Sequence, residues 1–285
     1  MQGPDRGNSE AFFELNAYTE KAFTFQCAGD ALTGIVSSPD KPASRGVLII
    51  VGGPQYRAGS HRQFVLLARD LASHGIPCMR FDCRGMGDSE GEMRNFEDID
   101  EDIQSAVEAF FRQCPGMNEI VLWGLCDAAT AAIFHAHKDS RVKGLVLLNP
   151  WARTAEGQAK TMVKHYYFSR LTDKAFWKKL FSGKLDFRRS MKDLSGSISD
   201  MKGQRTEASL PERMRAELEK YEGRILLVMS GRDLTAREFD DVAKSWKNLH
   251  ERFERRDLHD ADHTFSRRAW RNQVSRWTEE WVRSW

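Results

Sequence analysis

Short apolar runs of strand length alternate with longer segments of helical spacing along most of this chain, a pattern that calls for a mostly parallel sheet covered by helices. "AFTFQ" at 22–26 and "LTGIVSS" at 32–38 predict an antiparallel opening pair. "GVLIIVGG" at 46–53 is apolar throughout, as a strand buried on both faces must be. A helix is expected over 63–74, a strand over 76–82, and over 96–113 an amphipathic helix with acids in its first turn, where the helix dipole favours them. "EIVLWG" and "VKGLVLLNPW" add two strands. After Trp151 the alternation breaks into a stretch of helical texture rich in aromatic and basic residues, then a polar loop at 195–211. It resumes with "RILLVMSGRD" at 224–233, a helix near 236–249, a strand near 252–257 and a Trp-rich closing helix over 266–285. No internal repeat is present. The economical organisation is one α/β core, residues 1–150 and 215–285, carrying a helical lid at 151–214.

Within that order, "VLWGLCDAAT" at 121–130 runs an apolar strand into a small-x-Cys-x-small turn and then an Ala-rich helical run. A nucleophile forced into a tight strand-to-helix turn needs small neighbours two before and two after it, and Gly124 and Ala128 fill those places around Cys126. Taken alone, the turn is equally compatible with a core cysteine. An acid and a histidine following in chain order give it meaning. Asp233 lies directly after "ILLVMS", at the carboxyl end of a strand, where sites in open α/β sheets gather. His263, in "ADHTFS", lies between the last strand and the last helix. An imidazole and a helix N-terminus would activate the thiol, and the carboxylate would fix the tautomer of the imidazole. Asp233 also suits a simple helix cap, and His259 competes with His263 but is flanked by Asp257 and Asp260, as in a solvated loop. His74, His135, His137 and His250 read as surface or capping residues. Backbone N–H groups for an oxyanion are expected from Asp127 and from the loop "GGPQYRAGSHRQ", with Gly53 first and Gln55 second, because Pro54 has none. The Asp127 charge beside the thiol opposes ionisation unless its side chain points away.

The five cysteines are odd in number and lack the C-x-x-C spacing of a zinc site, which fits a reducing compartment and no metal. A net charge of +2 argues against a nucleic-acid partner, and no apolar run reaches the length of a membrane span. The N-terminus lacks a signal-peptide layout, so a cytoplasmic location is expected. The stretch from Trp151 to Asp193 nevertheless holds eleven Lys or Arg residues against four acids. Together with Tyr166, Tyr167 and Trp177, it reads as a lid that selects a small or lipid-like acyl substrate, an anionic one included, or that touches a membrane surface. The sequence leaves the oligomeric state open.

"GGPQYRAGSHRQF", "RFDCRGMGDSEGE", "WGLCDAA", "LNPW", "KHYYFSRL", "SGRDLTAREF" and "ADHTFS" together resemble the α/β-hydrolase superfamily, and within it the exosortase A system-associated hydrolases of type 1. The resemblance implies an α/β-hydrolase fold, no cofactor, Cys126 as nucleophile, Asp233 as acid and His263 as base. It also implies a bacterial hydrolase accessory to exopolysaccharide production and exosortase protein sorting. A cysteine nucleophile further resembles that of the dienelactone hydrolases, so esters, lactones or thioesters fit better than amides. Acyl transfer through the same intermediate, or a non-catalytic binding protein that keeps the fold, are the rival readings.

Overall fold

The computed structural model describes residues 17–53, 55–152, 208–246, 249 and 251–285. The segment 153–207, with Tyr166, Tyr167, Trp177 and most of the expected lid, lies outside them, as do Pro54 and His250. β1 (Tyr18–Cys27) and β2 (Asp30–Pro39) form an antiparallel hairpin that turns through Ala28 and Gly29, at φ 50 and 97°. β3 (Arg45–Ile50), α1 (Gln63–Ser73), β4 (Cys78–Phe81), α2 (Asp100–Gln113), β5 (Glu119–Leu125), α3 (Asp127–Ala136) and β6 (Val142–Leu148) follow. Beyond the undescribed segment come α4 (Leu210–Lys220), β7 (Arg224–Ser230), α5 (Leu234–Ala243), β8 (Phe253–Leu258) and α6 (Arg268–Arg283).

The eight strands make one sheet in the order β1-β2-β4-β3-β5-β6-β7-β8, antiparallel through β1, β2 and β4 and parallel from β4 to β8. This is the α/β-hydrolase architecture that the sequence resemblance implied. Alternation along each strand explains why the central runs are apolar without interruption. Leu48, Ile50, Ile120, Leu122, Leu145 and Leu147 join one core, while Val47, Ile49, Val121, Trp123, Val146 and Leu148 join another on the opposite face. α1 and α6 seal the second face through Phe64, Leu71, Val274 and Trp281; α2, α3, α4 and α5 seal the first through Ile103, Phe110, Ala129, Met214 and Phe239.

Two local readings change. α2 starts at Asp100, not near 96, with Asp100, Glu101 and Asp102 in its first turn. Asp102 turns inward to hold the buried Arg84 guanidinium and its backbone N–H. His135 is buried, not at the surface, and its Nδ1 meets Asp100 Oδ1 at 2.8 Å. The reason is that α3 is packed on nearly all sides, which its run of alanines permits, so a polar residue near its end is buried with it. α4 begins at Leu210, inside the span read as lid, and packs its Met214 and Leu218 into the core beside α3.

Candidate active site

Cys126 sits between the last residue of β5 and the first of α3 at φ 63° and ψ −123°, a conformation costly for any residue with a Cβ. The surroundings over-determine it. Its N–H donates to Leu148 O at 2.9 Å, its carbonyl accepts Trp151 N–H at 3.1 Å, and Thr130 Oγ1 donates to Trp151 O at 2.7 Å. The turn is thereby stitched to the loop after β6. A Cβ at Gly124 would lie 2.6 Å from backbone atoms of Ala128 and Ala129, so the small residue read from the sequence is a requirement of the crossing of β5 and α3. Gly124→Ala is expected to cost more than about 3 kcal/mol, seen as a fall in Tm of about 10 °C or as loss of soluble protein. An unchanged Tm would show that the crossing has slack. Of the five cysteines Cys126 alone is not buried. Burial pushes the thiols of Cys78, Cys83 and Cys114 above their ordinary range.

Asp233 and His263 are brought together by neighbouring strands. β7 and β8 pair in parallel register, and Gly231 N–H donates to Leu258 O at 2.9 Å and Arg232 N–H to Ala261 O at 3.0 Å, drawing the two following loops side by side. Asp233 Oδ2 lies 2.7 Å from His263 Nδ1. The helix-cap reading also holds: the same carboxylate accepts the N–H groups of Thr235 and Ala236, each at 3.1 Å. With Nδ1 engaged, the other ring nitrogen of His263 is the one that faces the Cys126 thiol, to which His263 also hydrogen-bonds. Asp233 first and Cys126 second raise the imidazole from 6.5 to about 10, against the opposing effect of burial. A charged imidazolium beside a thiol favours the thiolate. His259 is exposed.

Asn149 is a site residue that the sequence reading passed over as the mere absence of a carboxylate. It is fully buried at φ 42°; its Nδ2 donates to His263 O at 3.0 Å and to Ser230 Oγ at 2.9 Å, while its Oδ1 accepts Ser230 N–H at 2.8 Å. One amide thus pins the histidine loop to the end of β7.

Asp127 points into the loop after β3, where Gly53 N–H donates to its Oδ2 at 2.8 Å. Its Oδ1 accepts Ala128 N–H at 2.9 Å. Burial pushes the Asp127 carboxyl above its usual range, although these backbone N–H groups pull the other way. Gln55 N–H is spent on Gly53 O at 2.8 Å, so Gly53 is the loop donor that faces the elbow. The loop is held from behind by the fully buried Asp82, which accepts Arg57 N–H at 2.6 Å and pairs with the Arg57 guanidinium.

Residues 42–255 match the family model of the S33 serine aminopeptidases. The chain belongs to that hydrolase family. Among solved structures this S33 hydrolase is similar to an esterase from Pyrococcus furiosus, with a TM-score of 0.66 and 17% identity over 94% of this chain and 92% of that one. It is also similar to Est1E from Butyrivibrio proteoclasticus, solved with ferulic acid, with a TM-score of 0.61 and 15% identity over 92% of this chain and 98% of that one. At such identities the likeness is one of fold. A curated relative, a polyketide transferase from a Penicillium species, is 34% identical over 116 residues, a match that spans only 38% of either protein. The family name announces serine, whereas the elbow of this S33 hydrolase carries a cysteine. Among the described residues no His, Cys, Asp or Glu group is arranged to hold a metal ion, and no helix is long and apolar enough to cross a membrane. A cleft of about 480 Å³ lined by Lys41, Arg45, His74 and Trp285 lies at the amino ends of the strands, away from Cys126.

Proposed function

We propose that this hydrolase cleaves esters or thioesters through an acyl-cysteine intermediate on Cys126, with His263 as proton carrier and Asp233 as its orienting acid. The observation that carries the reading is the single imidazole bonded on one side to Asp233, at 2.7 Å, and on the other to Cys126. Cys126 Sγ attacks the carbonyl carbon, and the oxyanion takes the N–H groups of Asp127 and Gly53. Collapse breaks the bond to the leaving group, which departs with the proton held by His263. Water, giving its proton to His263, then attacks the thioester and releases the acid and the thiol.

Acyl transfer is the second reading, favoured by the polyketide transferase among the relatives; an alcohol or amine then takes the place of water. The basic, aromatic stretch with Tyr166, Tyr167 and Trp177 would contact the acyl group, and an anionic or lipid-like substrate suits its charge. A cytoplasmic role beside exopolysaccharide production and exosortase sorting rests on the sequence resemblance. The test is a panel of p-nitrophenyl esters, acyl thioesters and an aminoacyl anilide, run with and without an added alcohol acceptor. Turnover of esters and thioesters with free acid as product supports hydrolysis. Product on the acceptor supports transfer. Cleavage of the anilide alone would overturn the ester reading in favour of the activity in the family's name.

A further inference from the structure

The backbone donors expected to receive the oxyanion already hold a carboxylate, and it is the chain's own. Asp127 Oδ2 takes Gly53 N–H at 2.8 Å and Oδ1 takes Ala128 N–H at 2.9 Å. The N–H of Asp127 itself, the donor contributed by the residue after the elbow, is turned to the same carboxylate. The loop after β3 is shaped to let this group in. A Cβ at Gly52 would stand 2.0 Å from Asp127 Oδ1, so only glycine admits the side chain there. Gly53, at φ 60°, leaves 3.9 Å between its Cβ position and Oδ2. The Arg57 and Asp82 pair fixes the loop in that course.

We propose that Asp127 is a working part of the reaction assigned to Cys126: at rest its carboxylate fills the oxyanion hole, the attacked carbonyl displaces it, and its return expels the acid product. The proposal rests on the functional reading above. A carboxylate and a developing oxyanion are both negative and compete for the same N–H groups, so the two cannot occupy the hole together. Displacing Asp127 breaks charge-assisted hydrogen bonds, which the attacked carbonyl can do because covalent attack by Cys126 drives its oxygen into the cradle. A free carboxylate has no such drive. The acid released by deacylation must compete for Gly53 N–H against a carboxylate tethered two bonds from its own backbone, an intramolecular rival at high effective concentration. The arrangement therefore accepts acyl groups and rejects acids, including the product.

Acetate is the probe. In a Cys126→Ala background, which removes turnover from the measurement, acetate is titrated while the backbone amide resonances of Gly53 and Ala128 are followed by NMR. With Asp127 present, these resonances should not move. With Asp127→Ala they should shift and saturate, at an acetate concentration about tenfold or more below any effect seen with Asp127. Asp127→Asn, isosteric with the native residue, guards against collapse of the emptied cradle: its neutral amide should yield to acetate more readily than the carboxylate does. In the active enzyme, Asp127→Ala should lower KM for p-nitrophenyl acetate and make its hydrolysis sensitive to acetate, with native Cys126 retained. Equal acetate affinity in all three proteins, or a kcat loss in Asp127→Ala with KM unchanged and no acetate inhibition, would overturn the proposal. Because the NMR titration needs no turnover, it stands or falls separately from the assignment of Cys126 as nucleophile.

Discussion

Cys126→Ala is expected to abolish turnover of esters and thioesters and, with it, covalent trapping of acyl groups, a loss on the order of 10⁴-fold or more, as removal of the central nucleophile gives in triad enzymes. Mass spectrometry of the enzyme mixed with an acyl thioester should show an acyl adduct on Cys126 in the native protein and none in the variant. The substitution removes a sulfur from a half-exposed turn without touching the backbone bonds to Leu148 and Trp151, so Tm should hardly change. Cys126→Ser should fold and turn over slowly, because an alcohol is far harder to ionise beside His263 than a thiol. Undiminished hydrolysis by Cys126→Ala would end the proposal and direct attention to a different group in the cleft.

Asp233→Asn should lower the rate by about 10⁴-fold, the effect that a wrong histidine tautomer has in serine enzymes. Asp233 performs two jobs through one carboxylate, and asparagine separates them. It caps a helix about as well as aspartate, so the bonds to Thr235 and Ala236 survive in kind and stability should fall little. Only the charge against His263 is lost. Because Asp233 is the foremost cause of the raised His263 value, the imidazole should titrate well below about 10 in the variant, which NMR of its ring protons would read. The same shift has a consequence for stability. A histidine raised from 6.5 to about 10 contributes stability in full below about pH 6.5 and loses it as pH rises through 10. Asp233→Asn should therefore unfold with a flatter pH dependence across that alkaline range. A near-normal rate, or a His263 titration unmoved by the substitution, would mean that another group orients the imidazole.

Capping and catalysis were rival explanations of Asp233 in the sequence, and the fold makes them compatible. A carboxylate at the first turn of α5 has two oxygens and four lone pairs, enough for two backbone N–H groups and one imidazole. The choice between His259 and His263 also needed the third dimension. Gly231 packs against the His259 carbonyl, at 2.1 Å from where a Cβ would stand, and the chain then turns so that His263, four residues on, comes back to Asp233.

The sequence by itself determined what depends on neighbours along the chain. Alternating runs specified the strands because a strand covered on both faces must be apolar at every position, and the spacing of Gly124, Cys126 and Ala128 specified a strand-to-helix turn because no larger residue clears the crossing. The order of Cys126, Asp233 and His263 was legible for the same reason, since each follows a recognisable strand. What only the tertiary structure decided is which polar groups meet across strands. Asn149 is unremarkable in "LLNPW", yet its amide joins β7 to the histidine loop because β6 and β7 happen to end side by side. The burial of His135 follows from helices packed around α3 and not from its own spacing. Asp127 could point toward or away from the elbow as far as its sequence position says; Gly52, more than seventy residues earlier, leaves the space that draws it into the hole. Backbone patterning is written locally because its periods are two and 3.6 residues, whereas the partner of a buried polar side chain is set by sheet order, which joins segments far apart in the chain.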